Sequence, residues 1–185
     1  MPNTDAAYGF RPDMILYGGS GAIPVWEGQI KSNHVFTLGD AVYASAGYLR
    51  NAATGDKAVV GVCAANKAES ASGIVGTRVS NTVATRPKLL FYPAIDGIVF
   101  AGQCSGTPTQ ATLWKLVDIE GAAANSTGRS NQEVNEDAVT NKNVYLIGFR
   151  GNTSIGVNSE VLFTWAKSKF SARGAMVLST QYIGY

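Results

Sequence analysis

Acid–base or nucleophilic chemistry near neutral pH needs a group whose protonation can be tuned, and this chain carries one histidine, His34, and two cysteines, Cys63 and Cys104. His34 follows Lys31-Ser32-Asn33 in a polar lead-in to a strand. That setting predicts a solvated or edge histidine rather than a catalytic one. The cysteines have neither metal nor redox spacing, and neither has the flanking residues of a catalytic thiol. Both are expected to be small buried hydrophobes in a reducing cytosol, the alternative being a disulfide formed after release into an oxidising medium. Glu133, Glu136 and Asp137 form the one local acidic group, with the wrong spacing for a calcium loop, and are expected in a solvated turn. Gly18-Gly19-Ser20-Gly21 looks like a phosphate loop, but no Lys-Ser/Thr follows it and no strand-then-helix context surrounds it. The expectation is therefore a protein that is not an enzyme, with no catalytic residue, no metal and no cofactor. A hydrolase whose carboxylates converge from distant strands stays as the weakest alternative.

The elements around these residues read as strands. From His34 onward, short apolar runs alternate with turn residues: Val35 to Leu38, a Gly39-Asp40 corner, Ala41 to Tyr43, Leu49 to Asn51, a Thr54-Gly55-Asp56 turn, and Ala58 to Cys63. The last run is apolar at successive positions, which predicts burial on both faces, and Gly61 within it marks a bulge or a close backbone contact. Ala64 to Ser72 reads equally as a short helix or an irregular loop. Further strands are expected at Ile74 to Val79, Lys88 to Tyr92, Gly97 to Ala101, Gln132 to Val134, Val144 to Phe149 and Glu160 to Phe170. Pro108 to Leu116 is the best helical candidate, with Thr107 or Thr109 as its cap. Short strands with regular turns predict an all-β fold, a single β-sandwich or barrel-like domain with at most one or two short helices. Residues 1–30, rich in Gly, Pro and aromatics without clear periodicity, are expected as an N-terminal arm laid on the domain itself or on a neighbour, or as a lead-in to the first strand. Residues 31–185 are then the β domain, with 171–185 a C-terminal strand or tail.

Composition limits the partners. Charged residues are only 15% of the chain, and 15 Lys+Arg against 13 Asp+Glu leave a net charge of +2 without any basic run. Neither nucleic-acid nor membrane-surface binding is expected, because both need clustered positive charge. No apolar stretch approaches the ~20 residues of a membrane-spanning helix. The N-terminus lacks the pattern of a signal peptide, so synthesis in the cytoplasm is expected. A surface poor in charge favours self-association.

Several short motifs, in order, resemble one family. Asn3-Thr4-Asp5-Ala6-Ala7-Tyr8-Gly9-Phe10-Arg11-Pro12 is similar to an Asp-Ala-x-x-Gly-Phe/Leu-Arg-Pro opening. Leu38-Gly39-Asp40-Ala41-Val42, Val60-Gly61-Val62, Tyr92-Pro93, Thr127-Gly128-Arg129-Ser130 and Val144 to Phe149 follow, with Asn152 to Gly156 one residue longer than the family's turn. Together they resemble the cement or head-decoration proteins of podovirus-type tailed phages, including cyanophages, over about residues 1–170. The turn Ala94-Ile95-Asp96-Gly97 is shorter than the family's, and the tail after Phe170 matches nothing in it.

The resemblance implies a virion protein on the outer surface of a phage capsid, made in the cytoplasm of a bacterial host. It implies a homotrimer that bridges neighbouring major capsid proteins and stabilises the expanded head. Tyr8, Phe10, Arg11, Pro12 and Trp26 are the residues expected to touch the capsid or a sister subunit. The alternative is a carbohydrate- or host-receptor-binding β module of the virion, using exposed aromatics at Trp26, Trp114, Tyr182 and Tyr185.

Overall fold

The computed structural model describes residues 8–16, 22–31, 34–53, 56, 58–66, 79–80, 88–121, 130–151, 155–166 and 168. In chain order the strands are β1 Arg11–Ile15, β2 Trp26–Gln29, β3 Val35–Phe36, β4 Ala41–Ser45, β5 Tyr48–Asn51, β6 Gly61–Asn66, β7 Val79–Ser80, β8 Lys88–Pro93, β9 Ile98–Gln103, β10 Leu116–Glu120, β11 Glu133–Asn135, β12 Val144–Phe149 and β13 Glu160–Trp165. They form a six-stranded sheet in the order β1-β9-β13-β12-β10-β11 and a five-stranded sheet in the order β2-β8-β6-β4-β5, with β3 and β7 paired separately. All the paired strands run antiparallel. The two sheets pack as a sandwich, as the all-β reading predicts, and neither closes into a barrel.

Alternation along each strand divides the apolar residues between two cores. Ala41 on β4 and Val62 on β6 face the six-stranded sheet and join Phe100, Val117, Ile119, Val134, Val144, Leu146, Val161, Phe163 and Trp165. Their neighbours Val42 and Cys63 point the other way, into a second cluster with Ile30, Phe36, Leu49, Val60, Leu89 and Phe91. The five-stranded sheet is thus apolar on both faces, and every residue from Val59 to Cys63 is buried, as that uninterrupted run predicts. The second cluster is gathered by curvature: Ile30, just past β2, bridges Leu49 on β5, so the two margins of the sheet meet at one point. A Cβ added at Gly61 would lie 2.3 Å from the Tyr92 carbonyl oxygen, so glycine lets β6 and β8 approach, and a bulge follows between Cys63 and Ala65.

The helix expected over Pro108 to Leu116 is replaced by one 3-10 turn, Gln110–Thr112, after which Leu116 begins β10. The turn buries none of its residues, so no apolar stripe holds a longer helix against the sheet. Of residues 1–30, the described parts run along the sandwich: β1 pairs with β9 at the margin of one sheet, and β2 pairs with β8 at the margin of the other. Met1 to Ala7, the Gly18-Gly19-Ser20-Gly21 loop, Lys67 to Ser72, Ile74 to Arg78, Thr127 to Arg129 and the tail 171–185 lie outside the described residues.

Candidate functional site

The residues expected to make external contacts divide by position. Phe10 requires a correction: it is 1% exposed, with its ring edge-on to Phe163 and Trp165 at 5.4 and 5.6 Å. An extended strand alternates its side chains, and the pairing of β1 with β9 turns Phe10 inward over Gly102, where a Cβ would lie 2.7 Å from its ring. It anchors the segment to its own core rather than to a partner.

Tyr8 and Arg11 flank it and converge on one carboxylate at the start of β13. The Tyr8 hydroxyl and the Arg11 guanidinium both donate to Glu160, and the guanidinium also stacks 4.6 Å from the centre of the Tyr8 ring. Arg150 completes the group, its Nη1 3.1 Å from Glu160 Oε1 and its Nε 3.2 Å from Asp13 on β1. Burial, then the Glu160 carboxylate, push the Tyr8 phenol well above its ordinary value, so it stays a donor. Pro12 is half-buried in β1 and has no N–H to offer a further strand. Trp26 is 41% exposed on β2, with one edge against Phe91 at 6.3 Å. Met14 and Leu16 on the β1 stretch and Val25 beside β2 are similarly exposed, so both marginal strands of this segment carry uncovered apolar side chains.

The motifs that carry the resemblance meet at joints. The Phe10 N–H donates to the Gly39 carbonyl at 2.8 Å, and the Gly39 N–H to the Cys63 carbonyl at 3.0 Å. Gly39 has φ +90, and a Cβ there would lie 2.6 Å from the Tyr8 carbonyl oxygen; a Cβ at Gly9 would lie 2.4 Å from the Ser130 Cβ. Asp40 is buried beside this crossing and accepts from the Thr37 N–H at 2.7 Å and Asn51 Nδ2 at 2.9 Å. Burial raises its pKa, and these hydrogen bonds oppose the shift only in part. Gln132 ties the same corner across the sandwich, accepting from the Ala41 N–H and donating to the Ala52 carbonyl.

Of the described groups with potential for chemistry, Cys104 shares its surroundings with Glu136 and Glu133. His34 is half-buried, and burial, then Lys31 and Arg50, lower its pKa. Cys63 and Cys104 are both buried free thiols. Burial, then Glu136 and Glu133, push the Cys104 thiol far above its ordinary value, the reverse of what an activated nucleophile needs. The acidic turn also needs a correction, because Glu136 is only 6% exposed. Its carboxyl lies against the Gly106 backbone, where a Cβ would approach it to 2.1 Å, and burial raises its pKa, with Asp137 adding to the effect. No group of three or more His, Cys, Asp or Glu suited to a metal ion occurs among the described residues.

One surface residue stands out that sequence marked only as a candidate exposed aromatic. Trp114 is 64% exposed and has φ +64. That backbone conformation costs a non-glycine residue of order 1–3 kcal/mol. Among the described residues the other non-glycine residues at positive φ are Ala46 in the β4–β5 hairpin turn, Lys142 and Asn158. The Lys142 N–H is held by Asp118, and asparagine tolerates the left-handed region. No family model, no curated protein and no solved structure matches this chain.

Proposed function

We propose that this chain is a structural virion protein, a trimeric cement protein that binds the outer surface of a phage capsid and bridges neighbouring major capsid proteins. The collinear motifs are the ground for the assignment, and one structural observation supports the way it would dock. Phe10 and the Glu160 cluster hold β1 to the sandwich and pairing with β8 holds β2, while Met14 and Leu16 on the β1 stretch and Val25 and Trp26 at β2 stay exposed. Sheet margins with uncovered apolar side chains suit a protein that gains affinity by burying them against a shell.

The mechanism is mass action. A protein that binds only the expanded shell lowers the free energy of that state by its binding free energy, and every occupied position adds to the effect. Trimer symmetry lets three modest contacts act together, and linked contacts gain avidity without new chemistry. The test replaces Leu16 and Trp26 together by serine, which removes exposed apolar surface without disturbing Phe10. The reading requires lower occupancy on expanded heads at a temperature where the variant is fully folded, and unchanged occupancy would overturn it.

A further inference from the structure

We propose that Glu136 forms a pH-controlled joint at one margin of the six-stranded sheet. With its carboxyl protonated, β11 and the turn after it close onto residues 104–106; with the carboxyl ionised, this margin opens and uncovers Cys104. The inference holds whether or not the chain binds a capsid.

The joint is built unequally on its two sides. Toward β10, β11 has a ladder of register pairs, Glu133 with Glu120, Val134 with Ile119 and Asn135 with Asp118. The turn beyond is fastened to the same strand: the Asp118 N–H donates to the Ala138 carbonyl at 2.8 Å, and Asn135 Oδ1 accepts from the N–H groups of Asp137 and Ala138. Toward the end of β9 the contact is an isolated bridge between Val134 and Cys104, with the Ser105 N–H donating to the Val134 carbonyl at 3.0 Å. When the margin gives, β11 therefore stays with β10, and the seam beside residues 104–106 is where it parts.

Glu136 plugs that seam. It is 6% exposed, its Oε1 would lie 2.1 Å from a Cβ at Gly106, and both carboxyl oxygens are enclosed without a hydrogen bond. The Gly106 backbone and the Cys104 thiol come near enough to offset part of the cost of a charge there, but burial outweighs them. The titratable groups gathered here are acidic: Cys104 from the end of β9, Glu133 from β11 and Asp137 from the same turn. On β10, Glu120 accepts from Asn135 Nδ2 at 2.8 Å, and Asp118 accepts from the N–H groups of Thr140, Asn141 and Lys142. The ion pairs of the described residues are made by other carboxylates, those of Asp13, Glu27, Asp56 and Glu160.

A neutral carboxyl tolerates this enclosure, whereas a carboxylate without donors and beside further acids does not. The closed form thus keeps its proton to higher pH than the open form, in which the carboxyl meets water. Closure is complete below the ordinary carboxylate range and is lost as pH rises through the raised value.

The experiment labels the full chain with a thiol-reactive reagent from pH 5 to pH 8 and quantifies the Cys104 and Cys63 peptides by mass spectrometry. Each rate is divided by that of the denaturant-unfolded chain at the same pH, which removes the thiol's own ionisation. Cys63, buried in the second core, reports opening of the whole sandwich. The inference expects Cys104 protection to fall about tenfold or more over this range while that of Cys63 holds. Glu136→Gln keeps the shape and cannot ionise, so its Cys104 protection should stay constant. Gly106→Ala, whose methyl displaces the carboxyl, should lower Cys104 protection already at pH 5. Protection of Cys104 independent of pH in wild type, the same fall in Glu136→Gln, or a parallel fall at Cys63 would each overturn it.

Discussion

The ring of Phe10 meets that of Trp165 edge to face, with centroids 5.6 Å apart and planes at 89°. A residue near the start of the chain and one at the end of β13 thus share one aromatic cluster with Phe100 and Phe163. Phe10→Ala should lower stability by about 3–5 kcal/mol, read as a lower denaturant midpoint with an unchanged slope. A loss under about 1 kcal/mol would contradict the placement, since edge-on aromatic pairs alone contribute ~0.5–1.5 kcal/mol each.

Gly39 and Gly47 both have positive φ, but only Gly39 is crowded, by the Tyr8 carbonyl and the Phe10 backbone. Gly47→Ala should cost about 1–2 kcal/mol from backbone strain. Gly39→Ala should cost clearly more, because the new methyl also displaces the segment that carries Phe10. Thermal melts of the two variants side by side give the comparison, and equal losses would contradict the crossing described.

Burial holds the Glu136 carboxyl above its ordinary value. A folded-state pKa above the unfolded one makes the associated stabilisation complete at pH below the unfolded value, and it is lost as pH rises through the folded value. Glu136→Gln cannot ionise. Its melting temperature should approach that of wild type at acid pH and exceed it increasingly above the ordinary carboxylate range. A variant less stable than wild type at neutral pH would contradict this sign.

Tyr8→Phe removes a donor to Glu160 and leaves the stacked Arg11 in place. A hydrogen bond to a charged group contributes ~1.5–3 kcal/mol, and Arg11 and Arg150 still satisfy the carboxylate, so the loss should fall at the low end of that range. Amide exchange should quicken along β1 before β13. Uniform protection in the variant would show that Tyr8 does not fasten the segment.

Much of the architecture was legible because strand signals are local. Val144 to Phe149 and Lys88 to Tyr92 read as strands and form β12 and β8. The continuous apolar run through Val60 and Cys63 revealed a sheet buried on both sides, since such a run has no face left for solvent. What failed depended on distant partners. β1 and β2 are punctuated by Pro12 and Gly28 and look like an arm or lead-in in sequence, because their pairing with β9 and β8 supplies the order that their own residues do not. The stretch before β10 read as a helix because its residues tolerate one, and only the sheet's lack of an apolar contact for it decides otherwise. Phe10 reads as an external contact in sequence and points inward in the structure, because its direction depends on register against β9. Glu136 read as solvated for the same kind of reason: the backbone of Gly106 that covers it comes from another part of the chain.

The central claim is that this sandwich acts by assembly on a shell. Sedimentation of the purified chain, alone and mixed with emptied, expanded heads built from the major capsid protein of the same genome, tests it most directly. The account predicts a trimer in solution that co-sediments with expanded heads and not with unexpanded ones. A monomer that stays in the supernatant with both would contradict it.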